Sequence, residues 1–442
     1  MDILLKIAQL LVSLSLLVIV HEFGHFIFAK IFKCRVEKFY LFFNPWFSLA
    51  KWKWGETDYG IGWVPFGGYV KIAGMVDESM DTEQLKQPPQ PWEYRSKPAW
   101  QRLLIIVAGV MMNVILAMII YIGMTYAWGT NYIKNEDVKN GYAFTEYAHN
   151  LGFRDGDKII SVGGEKIDDY MLIPQAVLLN TPRTVEIDRD GRLLAINIPD
   201  SSVKTILKDV SLIAPMLRYP FVIENVIPDG YADKAGLVPG DSLIAANGLP
   251  VRFFDQYKNI FAQHADEVVL LTFVRNGLEM TREVLVSDAG IINVEVALNT
   301  PGEYKISTQR YGFFESIPVG IKRGATSLGN YVKQLKLIAS PETEAYKSVG
   351  GFITMGNIFP SKWNWVSFWH ITAMLSIMLA VINILPIPAL DGGHMVFILY
   401  EMVTRRTPSQ KFMETAQIIG FIIIVGIVLL ANGNDILRLF IK

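Results

Sequence analysis

Cysteine is almost absent from this chain. Cys34 is the only one among 442 residues, so no internal disulfide can form and no cysteine zinc site exists. Histidine is scarce as well, with 6 copies, so a metal site has to combine imidazoles with carboxylates. An excess of one charge sign is also missing. Lys and Arg number 41 against 42 Asp and Glu, a net charge of -1, which removes the global field that draws a protein to nucleic acid; no nucleic-acid partner is expected. What the chain has in quantity is apolar surface: 51% hydrophobic residues and a mean hydropathy of +0.29. That is apolar for a soluble protein and too polar for a bare helix bundle.

A helix needs about 20 apolar residues to cross a bilayer. Four stretches qualify: Ile3–Phe28, Leu103–Trp128, Val366–Leu385 and the shorter, aliphatic Ala416–Ala431. Trp100 and Trp128 flank the second, and Trp363, Trp365 and Trp369 open the third, as an interfacial aromatic belt requires. The first run is read as a retained span rather than a cleaved signal, because Asp2 offsets Lys6 and no small-residue cleavage site follows. Basic residues set the orientation. Lys30, Lys33, Arg35 and Lys38 follow the first span; Arg95, Lys97 and Arg102 precede the second; Arg405, Arg406 and Lys411 separate the last two. These loops are expected on the cytoplasmic side, which puts both termini and the long middle segment outside the cytoplasm.

The middle, from about residue 130 to 308, is soluble in character and repeats itself. Leu151–Gly164 aligns with Ala235–Gly248, and Val185–Ile198 parallels Leu270–Val284, with turns at Asp190-Gly191 and Asn276-Gly277. Such turns between alternating apolar residues predict hairpins. One helix per copy is expected, near Met171–Leu179 and Phe254–His264. The pattern Ala235-Gly-Leu-Val-Pro-Gly-Asp-Ser-Leu-Ile244 resembles PDZ domains of bacterial proteases; Asp155 and Leu151 depart from it in the first copy. PDZ domains bind extended peptides at a sheet edge, and a pair of plain spacers is the alternative.

Between the first two spans, Phe43–Ile72 carries Trp46, Trp52, Trp54 and Trp63 in alternating stretches, with Pro65, Gly67 and Gly68 expected to interrupt the pattern before Tyr69–Ile72. Two readings stand: a peripheral hairpin with aromatic anchors, or an edge strand that holds substrate. The second answers a physical need. A membrane helix that is to be cut must unwind, and each backbone group left unpaired in apolar surroundings costs several kcal/mol. Residues 313–338 are too basic and polar to span and read as an amphipathic helix.

The chemistry centres on His21-Glu22-Phe23-Gly24-His25, an HExxH pentapeptide at the end of the first apolar run. Histidines at i and i+4 share a helix face and suit zinc, and the adjacent glutamate is placed to act as general base on a metal-bound water. Ionisable groups within spans are functional candidates by default. A catalytic zinc needs a third protein ligand. His149, His264 and His370 are remote or on the outer side; Asp391 and His394 lie at the cytoplasmic end of the third span. Asp391, followed by two glycines, is the stronger candidate and His394 its rival.

His21–His25, Gly67-Gly-Tyr-Val-Lys71, Gly109-Val-Met-Met-Asn113 and Asn383–Gly393, in this order, resemble the motifs of the site-2 protease family of intramembrane zinc metalloproteases, in particular members with two PDZ domains between the second and third spans. The resemblance covers nearly the whole chain. It implies Zn2+ held by His21, His25 and Asp391, with Glu22 as catalytic base. It implies substrate contacts at Asn383, Gly67, Gly68, Tyr69 and Asn113, and a membrane-associated β-hairpin in the loop. Val110 departs from the proline frequent in the family. The implied partners are single-span membrane proteins already shortened by another protease, such as anti-sigma factors, leftover signal peptides, the lipid bilayer and peptides at the PDZ grooves. The implied setting is the bacterial inner membrane and its envelope stress response.

The expected fold is thus an α-helical polytopic membrane protein with four transmembrane helices, two inserted α/β PDZ-like domains and a membrane-associated β-hairpin region. Its order is span one at 1–30, a cytoplasmic loop at 31–99, span two at 100–128, repeats at 129–215 and 216–308, an amphipathic connector at 309–362, span three at 363–400 and the last loop, span four and C-terminus at 401–442. A non-proteolytic PDZ scaffold and a metal transporter are the rivals. The complete set His21, Glu22, His25 and Asp391 argues against the first, and the shortage of further intramembrane carboxylates against the second.

Overall fold

A computed structural model describes residues 2–75, 87–297 and 306–440. Residues 76–86 of the expected 31–99 loop, 298–305 of the second repeat and the last two of the C-terminal segment lie outside the described residues. The chain divides into two units, one made of Met1–Gly129, Arg310–Ala339 and Ala345–Lys442, the other of Thr130–Gln309 and Ser340–Glu344.

Among the described residues of the first unit, four helices are long and apolar enough to cross a membrane: Ile3–Ile31, Ala99–Trp128, Trp365–Asn383 and Lys411–Leu437. The first belongs to α1 (Asp2–Ile31) and the second is α2 (Ala99–Trp128). α2 packs against α1, the Trp365–Asn383 helix and the helix Phe313–Ala339. Apolar helices gain little by hiding from lipid, so close backbone approach has to hold them. Glycines supply it. A Cβ on Gly24 would lie 2.4 Å from the Ala108 carbonyl oxygen, and one on Gly320 2.5 Å from the Ile122 Cα.

The expected third span, Val366–Leu385, is matched by the helix Trp365–Asn383, and the rest of the 363–400 segment holds a turn and the start of a second helix. Trp365–Asn383 ends, the chain turns through Pro386 and Pro388, which cannot continue a helix, and Asp391–Thr404 begins. The last helix runs from Gln410 to Phe440, well beyond the aliphatic stretch Ala416–Ala431. Its polar end is held in place: Asp435 Oδ2 accepts from the amides of Gly351 (3.0 Å) and Thr354 (2.9 Å), capping the short helix Phe352–Ile358.

The loop after α1 forms a four-stranded sheet from β1 (Val36–Phe43), β2 (Ala50–Trp54), β3 (Thr57–Ile61) and β4 (Val64–Ile72), in the order β2-β3-β1-β4. β4 pairs with β1 antiparallel and is an edge strand. As expected, Pro65 and Gly67 interrupt the pairing: the register with β1 jumps from Phe43 opposite Val64 to Leu41 opposite Gly68, a bulge, and the missing proline N–H is tolerated on an edge strand. Gly68 lets the strand lie on α1, since a Cβ there would sit 2.7 Å from the Val18 side chain. At the opposite edge every β2 residue is exposed, Trp52 and Trp54 included.

The second unit carries the repeat into three dimensions. Lys158–Val162, Glu165–Lys166, Thr184–Arg189 and Arg192–Asn197 form one sheet; Ser242–Ala246, Leu249–Pro250, Val268–Arg275 and Leu278–Leu285 form another with the same strand order. The helices Ile173–Leu179 and Phe254–Gln263 occupy corresponding places. Each copy has the same clamp. Arg189 donates from Nε and Nη2 to the two carboxylate oxygens of Asp157 (2.7 and 2.8 Å) and from Nη2 to the Gly152 carbonyl (2.8 Å). Arg275 does the same to Asp241 (2.7 Å for both) and the Gly236 carbonyl (2.8 Å).

Candidate metal centre

His21 and His25 lie one turn apart on α1, each 8% exposed. Asp391 is the first residue of the Asp391–Thr404 helix. It reaches them because Gly392 and Gly393 let the chain fold back on itself: a Cβ on Gly392 would meet the Leu385 carbonyl oxygen at 2.2 Å, and one on Gly393 the Pro388 Cα at 2.3 Å. The three side chains offer ligand atoms within 4.8 Å of one another. Nε2 of His21 is 3.2 Å from Nε2 of His25, and Oδ2 of Asp391 is 3.2 Å from the first and 3.4 Å from the second. Ligands bound at 2.0–2.1 Å around a tetrahedral zinc are separated by about 3.3 Å. Asp391 Oδ2 is also buried with no hydrogen bond of its own, which is costly unless a cation completes it. The donor set and its spacing fit zinc.

The surroundings hold these rings in place. Nδ1 of His25 lies 2.8 Å from the Ile105 carbonyl oxygen of α2. A carbonyl can only accept, so it takes the Nδ1 proton and leaves Nε2 with its lone pair free. Asn113, fully buried, sits with Nδ2 3.2 Å from Nδ1 of His21 while its Oδ1 has no partner. Rotating that amide by half a turn brings Oδ1 to Nδ1–H, again freeing Nε2, and moves Nδ2 to the place where Oδ1 has no partner. Gly109, on the same face of α2 as Asn113, makes room for both imidazoles: a Cβ on it would lie 2.3 Å from Nε2 of His25 and 2.8 Å from Cε1 of His21.

A cavity of about 100 Å³ opens beside these groups, lined by His21, Glu22, His25 and Asp391 together with Gly68, Tyr69 and Val70 of β4. Asn383 lines it too, its Nδ2 3.3 Å from Nε2 of His21. His394 and Gln417 complete part of the wall. Of the residues singled out from sequence, His21, Glu22, His25, Asp391, Asn383, Gly68 and Tyr69 meet at this cavity. Gly67 is next to it on β4 and packs near Phe43. Asn113 lies behind His21 rather than on the cavity wall. His394 faces the cavity but is not among the three grouped ligand atoms. Gln417 was passed over, although a lone amide opening an aliphatic span is a visible signal.

Comparison with known proteins agrees with this architecture. The family model for peptidase family M50 matches residues 9–427. A Vibrio cholerae protein provisionally named a zinc metalloprotease is 28% identical over 99% of this chain and 100% of its own length. The Regulator of sigma E protease of Haemophilus influenzae is 26% identical, again over 99% of this chain and 100% of its own.

Proposed function

Since the chain belongs to peptidase family M50, we propose that this zinc metalloprotease hydrolyses peptide bonds within or beside transmembrane segments of membrane proteins. One observation carries the reading: His21, His25 and Asp391 converge at zinc-ligand spacing beside Glu22, on a helix of membrane length, with the edge strand β4 along the same cavity. His21, His25 and Asp391 are the zinc ligands. Zinc bound there supplies Lewis-acid polarisation of the scissile carbonyl and a water of pKa near about 7. Glu22 takes the proton of the attacking water and returns it to the leaving nitrogen. Asn383 holds the substrate backbone near His21. Asn113 orients His21 from behind.

An unwound substrate is required because a helix keeps its peptide groups paired within itself and hides them behind its side chains. Gly67, Gly68 and Tyr69 of β4 take the released strand by backbone pairing, the mode of β-augmentation. The two repeats of the second unit are PDZ-like domains that bind peptide ends or exclude bulky substrates. The basic loops support a metal centre toward the cytoplasm, with both termini and the repeats on the periplasmic face of a bacterial inner membrane. The name of the Haemophilus relative ties that protein to sigma E; the substrates proposed here are pre-shortened anti-sigma proteins and remnant signal peptides, with a part in the envelope stress response.

The test is cleavage of a labelled single-span substrate by the full-length, zinc-loaded protein and by Glu22→Gln. Wild type should cut within or next to the span, and the variant should bind zinc equally while losing at least about a hundredfold in rate. Equal rates for both would refute the assignment of Glu22 and the mechanism with it.

A further inference from the structure

Gln417 has no task in the chemistry above, yet its position asks for one. It lies on the Gln410–Phe440 helix, and from Ile418 to Leu430 no other polar side chain follows. It is 8% exposed and lines the same cavity as His21, Glu22 and Asp391. Its amide makes no hydrogen bond with any other described residue. The side chain is buried while its amide keeps access to the cavity, and an intramembrane polar group that faces a cavity with no protein partner points to a ligand.

Its direction is fixed. Gly420, three residues on and hence on the same helix face, packs so closely on the turn before Asp391 that a Cβ there would lie 2.7 Å from the Ala389 amide nitrogen and 3.2 Å from Pro388. The glycine lets this helix approach the turn and aims Gln417 into the cavity. Gln417 also borders a second cavity of about 240 Å³, walled largely by apolar residues that include Phe397, Ile398 and Met413. Met75, His394 and Gln417 line both spaces, so the two adjoin at these residues. A chain leaving the metal centre on this side passes the amide.

We infer that Gln417 is a substrate-binding residue that hydrogen-bonds the backbone of the extended substrate, donating from Nε2 to a peptide carbonyl and accepting at Oε1 from a peptide N–H. The ligand class is an unwound peptide of any side-chain sequence, since a carboxamide matches a peptide unit and ignores what the unit carries. This rests on the proteolytic reading of the site, but its test does not need turnover.

The experiment measures binding of a fluorescent transmembrane peptide to zinc-loaded full-length protein in nanodiscs, in the Glu22→Gln background, and cleavage kinetics with Glu22 restored. Gln417→Leu should weaken binding and raise KM by about tenfold, the scale of one or two neutral hydrogen bonds, with kcat, zinc content and melting temperature unchanged. A set of peptides in which one backbone amide at a time is replaced by an ester supplies the specific readout. Wild type should discriminate against one or two of these esters by about tenfold, and Gln417→Leu should not. Gln417→Met, which keeps the chain length, should behave as Gln417→Leu does. Unchanged binding and unchanged ester discrimination in both variants would overturn the inference, as would loss of zinc or of thermal stability in both with ester discrimination intact. Peptide binding that depends on Gln417 without any cleavage by wild type would instead overturn the proteolytic reading and leave this one standing.

Discussion

Gly109 lies against His25 so closely that a single added carbon would sit 2.3 Å from its Nε2. Contact at that distance is impossible, so the helix or the ring must move. Gly109→Ala is therefore expected to displace the imidazoles, lower zinc affinity by at least about tenfold and cost about 1–3 kcal/mol of stability through overpacking. Zinc content by mass spectrometry and thermal melting check both. Gly123→Ala is the control, because nothing lies within 4 Å of a Cβ built there; it should retain zinc.

Asn113 is expected to act through His21. Asn113→Leu removes the group facing Nδ1 and should weaken zinc binding by about 10–100-fold, the usual range for the partner behind a metal ligand. Asn113→Asp keeps an acceptor there and should recover most of the loss. Competition with a chelator of known affinity measures it. Similar affinities for the Leu variant and wild type would show that the amide does not orient the ring.

Arg102 of α2 and Glu401 of the Asp391–Thr404 helix form a close ion pair, 15% and 18% exposed. Breaking it from one side strands a partly buried charge. Arg102→Met and Glu401→Gln are each expected to lower stability by about 1–3 kcal/mol, and the double variant by less than their sum. Thermal denaturation of the four proteins gives the cycle.

The two arginine clamps should behave alike. Arg275→Met leaves Asp241, 0% exposed, with its carboxylate uncompensated, and Arg189→Met does the same to Asp157. Each should open its own repeat to protease in the full-length chain, with faster cleavage inside 216–308 for the first and 129–215 for the second. Lysine should not restore either, since it cannot make the two-pronged contact to carboxylate and carbonyl together.

Much of this was legible in the residues because it rests on local pattern. The long helices follow from uninterrupted apolar runs, the two hairpin sheets from Asp190-Gly191 and Asn276-Gly277, and the histidine pair from its spacing. Asp391 was within reach because the basic loops assign it to the same side as His21. Other features depend on contacts that pattern does not encode. Pro65 and the glycines read as a break, and the ladder does break there, but that β4 pairs with β1 on both sides of the break emerges only in the sheet. Asn113 reads as a group near the reaction, while its depth behind His21 emerges only when α1 and α2 are packed. Gln417 was visible as a lone amide; its aim into the cavity depends on Gly420 meeting the turn at Ala389. The reach of the last helix beyond Ala431 depends on Asp435 capping a helix some 80 positions earlier.

The edge strand beside the metal centre has one more consequence. Backbone pairing along β4 is blind to side chains, and it can be made only by chain that has already left its helix. Under the proposed activity, what distinguishes one span from another is then the free energy of unravelling it, a quantity spread over several residues. Glycine, proline or β-branched residues a turn away from the cut should matter as much as those flanking it, and a search for a consensus cleavage sequence would find a melting profile instead.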